Sequence, residues 1–164
     1  MSANKYQPHV LVFPQDDANN QLATGFVLKV KYDRRIQVLP EVGGWLSICE
    51  KFLSEHVKGM RKYPERNVVL LLDFNDQSDR ANRVKEKVPE DLRSRVFVLG
   101  VQSEPEALKK AGLGSLEDIG RRLGKECREE TKDVWRHGLL QQNAGELGRL
   151  EPDSESGRLY LYSC

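Results

Sequence analysis

The sequence has no excess of charge of either sign, because 26 lysine and arginine residues nearly balance 25 aspartate and glutamate residues. A chain without a global basic field lacks the general signature of a nucleic-acid binder, so any such contact has to come from a local patch. No apolar run approaches the roughly 20 residues that span a bilayer. The polar start, residues 1–5, also lacks the apolar core of a signal peptide. The sequence therefore predicts a soluble, cytoplasmic protein without a membrane partner.

Cysteine is also scarce. Cys49, Cys127 and Cys164 are odd in number and far apart, which excludes a disulfide framework and a zinc ribbon and favours reduced thiols. Three common catalytic motifs are missing as well: the Gly-x-Ser-x-Gly elbow, the Walker loop and the His-Glu-x-x-His helix. Their absence removes the commonest hydrolase, NTPase and zinc-protease interpretations.

The chain has 164 residues, 38% of them hydrophobic, which predicts one domain with a proper core. Apolar runs typical of strands alternate with segments of helical periodicity. We expect strands at 9–13, 35–39, 68–73 and 95–100, and helices at 17–26, 45–60, 78–87, 103–112, 115–127 and 131–150. The α/β domain is assigned to residues 1–150, and residues 151–164 to a polar loop with a short terminal strand or tail.

This alternation predicts a Rossmann-like parallel sheet of about four strands with helices on both faces, in a single α/β domain. With the strand order 2-1-3-4, the first and third strands are neighbours, and ligands bind where their carboxyl ends meet. Polar residues follow both of these strands directly: Gln15, Asp16 and Asp17 after the first, and Asp73, Asn75 and Asp76 after the third. Their oxygen atoms suit a hard cation, so the pattern predicts a Mg²⁺ or Mn²⁺ site, although acidic residues are also common in loops and helix caps.

Other polar residues have two interpretations each. Glu104 and Glu106 could add carboxylates to the site or only favour the amino end of their helix. Arg80, Arg83, Lys85 and Lys87 could steer a polyanion, although a solvated helix face is the favoured interpretation. His56 falls on an apolar helix stripe and is expected at the core boundary, and His9 is expected to be exposed.

Three features together resemble the Toprim family: an acidic residue after the first strand, the Gly43-Gly44 turn before a helix, and the Asp-x-Asp-like cluster that begins at Asp73 after a hydrophobic strand. This family includes topoisomerases, primases and the overcoming-lysogenization-defect nucleases. The likeness is greatest to small stand-alone bacterial Toprim-like proteins, and it covers roughly residues 10–108. It implies Mg²⁺-dependent phosphodiester chemistry of the nuclease type and makes nucleic acid an expected partner.

The resemblance also implies roles for individual residues. The family's first-strand glutamate, a general acid or base, falls on Gln15, with Asp16 beside it, and a later acid of the nucleases falls on Glu106. The metal-binding pair falls on Asp73 and Asn75, and the neighbouring acids Asp76 and Asp17 complete the predicted metal set. Gln15 exchanges no proton near neutral pH and Asn75 carries no charge, so both an active and a degenerate site are consistent with the sequence.

Two further functional classes are also consistent with the sequence. Receiver domains of two-component signalling also place an acidic pair after the first strand and a phosphate-accepting aspartate after the third, as Asp16, Asp17 and Asp73 do here. Ser103 could serve as the receiver's hydroxyl residue, but the receiver's Lys-Pro at the end of a fifth strand has no counterpart. The third class is a non-catalytic interaction module that has lost the charges of its ancestral chemistry.

Overall fold

The structure, a computed structural model, describes residues 5–29, 35–129 and 131–150. The predicted alternation of strands and helices is confirmed, whereas the predicted terminal unit at 151–164 lies outside the described residues. The elements are β1 (His9–Pro14), α1 (Asp17–Lys29), β2 (Ile36–Val38), α2 (Trp45–Lys51), α3 (Val57–Lys62), β3 (Arg66–Asp73), α4 (Arg80–Lys87), β4 (Val96–Val101), α5 (Pro105–Lys110), α6 (Leu116–Glu129) and α7 (Ala144–Leu150).

The four strands form one parallel sheet in the order β2-β1-β3-β4, which confirms the predicted fold class and strand order. Pro14, the last residue of β1, pairs with Leu71 near the end of β3. The chain leaves β1 toward one edge of the sheet and leaves β3 toward the other. A crevice of the kind that binds ligands in such sheets therefore opens between the two strand ends.

Successive strand residues pack on opposite faces of the sheet, as the pleat requires. Leu11 and Phe13 join a core with α2, α3 and α4 on one face. Val10 and Val12 face the other side, where α1, α6 and α7 cover the sheet. Both faces are covered, which is why the central strands are continuously apolar.

Helices α1 and α6 pack unusually closely because glycines stand at their contact. A Cβ atom on Gly120 would lie 2.1 Å from the Leu22 carbonyl oxygen, and one on Gly25 would lie 2.1 Å from the Glu117 carbonyl oxygen. Only glycine permits this approach of the two backbones. The contact fixes the position of α1, whose first turn adjoins the crevice.

Three local predictions are corrected. The helix predicted through Met60 contains a π-helical segment, Phe52–His56, between α2 and α3. The amino-terminal cap of α5 is Glu104, without a side-chain capping bond, and not Ser103. The helix predicted from 131 to 150 is regular only in α7, after irregular turns and a short 3₁₀ segment, Gln141–Asn143.

The outer edge of β4 explains part of that irregularity. Glu146 accepts a hydrogen bond from the Val98 amide (2.8 Å), and Asn143 both accepts from the Gly100 amide (3.0 Å) and donates to its carbonyl (2.8 Å). Side chains of the segment 141–150 thus satisfy the backbone groups that a fifth strand would pair. In the described ranges no helix has the length and apolar character needed to cross a bilayer.

Candidate functional site

The floor of the crevice is built by Gln15, which extends the pairing between β1 and β3 by one further step. Its backbone amide donates to the Leu71 carbonyl at 2.8 Å, and its side-chain Oε1 accepts from the Asp73 backbone amide, also at 2.8 Å. The Gln15 carbonyl accepts from the Gly43 amide at 2.7 Å, which ties the Gly43-Gly44 turn to the crevice. The Gln15 side chain thus holds the end of β3 in place through an amide oxygen, which carries no net charge.

Asp16 and Asp17 lie side by side in sequence but point to different places. Asp16 caps α1, since its Oδ1 accepts a hydrogen bond from the Asn19 backbone amide at 3.0 Å. Asp17 is exposed on the first turn of α1 and accepts from the Gln21 side chain at 2.6 Å. The structure therefore brings Asp16 to the crevice and leaves Asp17 on the helix surface.

Asn19 joins the two strand ends, although the sequence did not single it out. Its side chain is fully buried. The Nδ2 atom donates to Asp16 Oδ1 at 2.9 Å and to Asp73 Oδ1 at 2.8 Å, so one nitrogen bridges two carboxylates. The other amide atom, Oδ1, is buried without a hydrogen-bond partner. An unsatisfied buried acceptor is costly, so the Asn19 Oδ1 does not contribute to the stability of the fold.

The electrostatics of the crevice centre on Asp73. Burial raises the pKa of its carboxyl to about 6, the Asn19 hydrogen bond opposes this rise, and the negative charges of Asp16, Glu106 and Glu104 add to it. Glu106, predicted as a site residue, therefore acts on Asp73 through its charge, as does its neighbour Glu104. A strongly perturbed carboxyl in a cleft is a common mark of a functional site.

Asn75 and Asp76 occupy a tight turn beyond Asp73. Both have positive φ angles, 49° and 57°, and their amides donate to the carbonyls of Ser103 and Gln102. Both side chains are exposed. Asp76 lines a separate groove of about 450 Å³ between α4 and the segment before α7. The structure thus groups Asp73 with Asp16 through Asn19 and with Glu106 through its charge, while Asp76 lines the other groove and Asn75 is exposed in the turn.

The basic stretch of α4 forms only part of the solvated face that we favoured from the sequence: Arg83 and Lys87 are exposed, whereas Arg80 and Lys85 bond to other parts of the protein. Arg80 is buried, with 7% of its surface exposed, and its guanidinium lies 4.8 Å from the Trp45 ring centre. Arg83 lies 5.3 Å from the same ring centre. Lys85 forms an ion pair with Glu146 at 2.8 Å. The helical pattern did not reveal these contacts because each depends on a partner far away in sequence.

The two histidines considered above contact residues of β1 and β3. His56 packs against Phe13, with ring centres 4.4 Å apart, and burial lowers its pKa, as expected for a core-boundary residue. The prediction that His9 is exposed is wrong: its side chain is buried, with Nδ1 near the Gln7 carbonyl and Nε2 accepting from Arg66 at 2.9 Å. The register of β1 with β3 places this residue beside Arg66.

The described residues contain no group of three or more histidine, cysteine, aspartate or glutamate side chains placed to hold a metal ion. Mg²⁺, however, commonly binds through only one or two carboxylates and keeps several water molecules. Asp16 and Asp73 supply two such oxygens around one point, and the unpartnered Asn19 Oδ1 is a third oxygen close by. The donor set therefore fits a weakly bound Mg²⁺ or Mn²⁺ ion.

Comparison with known proteins gives no match from family models, curated proteins or solved structures. The likeness to the Toprim family therefore continues to rest on the short motifs at Gln15, Gly43-Gly44 and Asp73.

Proposed function

We propose that the crevice between β1 and β3 binds Mg²⁺ or Mn²⁺ and that the protein carries out phosphodiester chemistry there. The observation that carries this proposal is the shared contact of Asp16 and Asp73 with a single amide nitrogen of Asn19. Two carboxylates that converge on one point repel each other unless a positive group lies between them. The partial positive charge of the Asn19 amide takes that position in the structure.

The unpartnered Oδ1 of Asn19 supports the same proposal. A half-turn of the amide about its last side-chain bond would bring Oδ1 to the position that Nδ2 now holds. The buried amide would then present an oxygen to a cation in place of a hydrogen-bond donor to two carboxylates. Asp16, Asp73 and Asn19 would together hold the ion, and Gln15 would fix the backbone at Asp73.

A divalent cation bound here would neutralise a phosphodiester group and activate it toward attack by water. Gln15 is an unsuitable general base because its side chain is neutral and already accepts a hydrogen bond from the Asp73 amide. Glu106 and Glu104 are exposed and contribute negative charge near Asp73. Either carboxylate can take a proton from an attacking water, and we assign this role to Glu106.

The test combines metal binding with activity. We expect titration calorimetry to detect Mn²⁺ binding to the wild-type chain, and Asp73→Asn to weaken it at least tenfold. Asp17→Asn removes an equal charge from the exposed turn beside the site and should bind Mn²⁺ like the wild type. Hydrolysis of bis(p-nitrophenyl) phosphate in Mn²⁺ should then be lost in Asp73→Asn and retained in Asp17→Asn. Equal Mn²⁺ binding by all three proteins would exclude the proposed site.

The receiver-like alternative has less support from the geometry. Receivers neutralise the incoming phosphoryl group with a lysine at the end of a fifth strand, and side chains of the segment 141–150 occupy the corresponding sheet edge here. The basic group that contacts the end of β3 among the described residues is Arg80, and its hydrogen bond goes to the Asp73 backbone carbonyl. The carboxyl of Asp73 bonds instead to Asn19.

A further inference from the structure

Arg80 is a buried guanidinium without a carboxylate partner among the described residues. Its exposed fraction is 7%, and the only hydrogen bond that its side chain makes there runs from Nη1 to the Asp73 carbonyl at 2.9 Å. Its Nε atom is buried and has no acceptor. Other arginines of this chain donate to several acceptors: Arg95 reaches backbone carbonyls, and Arg149 reaches carbonyls and the Glu146 carboxylate.

Buried charges in proteins are normally paired, because removal of an ion from water costs several kcal/mol. The Trp45 ring offsets part of this cost, since a cation stacked on an aromatic face gains about 0.5–2 kcal/mol. One neutral carbonyl satisfies only one of the roughly five donors that a guanidinium carries. Within the described part of the chain, the partners of Arg80 are therefore one aromatic ring and one neutral carbonyl, and its Nε has no acceptor.

We infer that Arg80 and Arg83 form a binding site for a phosphate oxyanion beside the carboxyl end of β3. The guanidiniums of Arg80 and of the exposed Arg83 lie 4.8 Å and 5.3 Å from the ring centre of Trp45, so one aromatic ring contacts both cations. The hydrogen bond from Arg80 to the Asp73 carbonyl fixes one of them at the crevice. A guanidinium matches the oxygens of phosphate with two parallel hydrogen bonds, and a second cation strengthens the preference for an anion.

The inference deepens the proposed function, because it places the phosphate of a substrate on the Arg80 side of Asp73. The negative charges of Asp16, Glu104 and Glu106 raise the pKa of the Asp73 carboxyl, whereas Arg80 bonds to the Asp73 backbone carbonyl. An ester whose phosphate binds Arg80 would lie between the basic pair and the acidic crevice. The anion site itself needs no metal, so the two proposals can fail separately.

The test measures anion binding in the absence of divalent ions. The wild-type chain is titrated with inorganic phosphate in EDTA, at ionic strength held constant with chloride, and two signals are followed. We expect a rise in melting temperature and a shift of the Arg80 Nε–H resonance in the nitrogen–proton spectrum. Because that resonance is observed in the unmodified protein, the measurement does not depend on whether a variant folds.

Substitutions of single arginines then show which side chains bind the phosphate. Arg80→Gln should weaken phosphate binding at least tenfold, and Arg80→Lys should recover only part of it because lysine lacks the planar fork. Arg83→Gln should weaken binding by a smaller factor. The matched control is Arg61→Gln, which removes the same charge from a half-exposed ion pair with Asp91. Asp91 lies just before β4, so this ion pair is at the amino end of the strands. It should bind phosphate like the wild type.

A parallel titration with diethyl phosphate separates two sources of the anion. Binding of both ligands supports a site for diesters as well as monoesters, and binding of inorganic phosphate alone restricts the site to terminal phosphates. If neither ligand moves the Arg80 resonance, or if Arg80→Gln binds both as tightly as the wild type, the inference is overturned. Arg80 would then serve only to pack against Trp45.

Discussion

Asp73 carries a carboxyl group whose pKa is raised to about 6 by burial and by neighbouring carboxylates. An acid with a raised pKa binds its proton more tightly in the folded chain than in the unfolded one, so stability falls as the pH rises from about 4 to about 6. After allowance for solvent screening, we expect this loss to be about 1–2 kcal/mol in metal-free buffer. Asp73→Asn should not show the loss, as urea denaturation between pH 4 and pH 7 will test.

The amide oxygen introduced by Asp73→Asn can still accept the hydrogen bond from Asn19, so this variant changes the charge and keeps the contact. Asp17→Asn serves as the control and should give a pH profile parallel to that of the wild type. A parallel profile for Asp73→Asn as well would show that the carboxyl of Asp73 is not perturbed.

Asn19 offers a second test, because its replacement by aspartate turns the bridging donor into a third carboxylate. We expect Asn19→Asp to lower the free energy of unfolding at pH 7 in EDTA by about 2–3 kcal/mol, since a buried charge loses hydration and faces two like charges. Mn²⁺ should restore much of this loss and bind more tightly than to the wild type. Thermal melts with and without Mn²⁺ measure both effects, and a variant that Mn²⁺ does not stabilise would count against the proposed metal site.

For individual residues of the site, the sequence indicated the positions of acids that follow strands and did not indicate the positions of residues inside helices. Asp16 and Asp73 could be placed together because the strand order alone determines where their strands end. Asn19 could not be placed there, and Arg80 was considered only within a basic set that could steer a polyanion, because the burial of both depends on residues that are distant in sequence. The one local signal at Asn19 is its place in the first turn of α1, next to the apolar stripe of Ala18 and Leu22.

The contact between α1 and α6 depends on glycine. Gly120→Ala would place a methyl group 2.1 Å from the Leu22 carbonyl oxygen, and the two helices would have to separate. We expect a loss of about 3 kcal/mol in the free energy of unfolding. Gly148→Ala is the matched control, since α7 leaves open space at that position and alanine favours helix, so this variant should gain about 0.5–1 kcal/mol. Chemical denaturation of both variants tests the prediction, which an equal effect of the two substitutions would refute.

The attachment of α7 to β4 depends on Glu146. Burial disfavours its charge, but hydrogen bonds from Lys85, the Val98 amide and Arg149 outweigh burial and lower its pKa. A lowered pKa stabilises the fold above the ordinary value of 4.5, and the contribution is lost as the pH falls below it. We expect Glu146→Ala to cost about 3 kcal/mol at pH 7 and less at pH 4, because Lys85 and the Val98 amide lose their acceptor.

Glu86→Ala provides the control for Glu146→Ala, since Glu86 is an exposed helix residue in α4. Hydrogen exchange at the Val98 amide gives an independent measurement of the same attachment. Protection of this amide should fall in Glu146→Ala and stay unchanged in Glu86→Ala. Unchanged protection in both variants would show that Glu146 does not secure the edge.

Regular helices and strands were predicted well because their periodicity is a local property. The alternation of apolar runs gave all four strands of the described sheet. The segment 131–143 was predicted as helix and is not, because Glu126 accepts hydrogen bonds from the amides of Val134 and Trp135 and turns the chain toward β4. Such side-chain bonds to the backbone compete with helix formation and leave no periodic signal.

An experiment on the whole domain can distinguish the nuclease-like proposal from the receiver alternative. A receiver binds beryllium fluoride at its accepting aspartate, where a lysine balances the added charge. Here Arg80 bonds to the backbone carbonyl of Asp73, and charge added at the Asp73 carboxyl itself would be opposed by Asp16, Glu104 and Glu106. We therefore expect no effect of beryllium fluoride on the amide spectrum around Asp73. Mg²⁺ alone should shift the same resonances. Stoichiometric binding of beryllium fluoride that disappears in Asp73→Asn would favour the receiver.

The covered edge of β4 limits how copies of this domain can associate. A sheet grows into a fibre only when both of its edges can accept a further strand. Side chains of Asn143 and Glu146 already bond to the backbone of Val98 and Gly100 at the β4 edge, so no further strand can pair with these residues. A continuous sheet therefore cannot run from one copy into the next through β4.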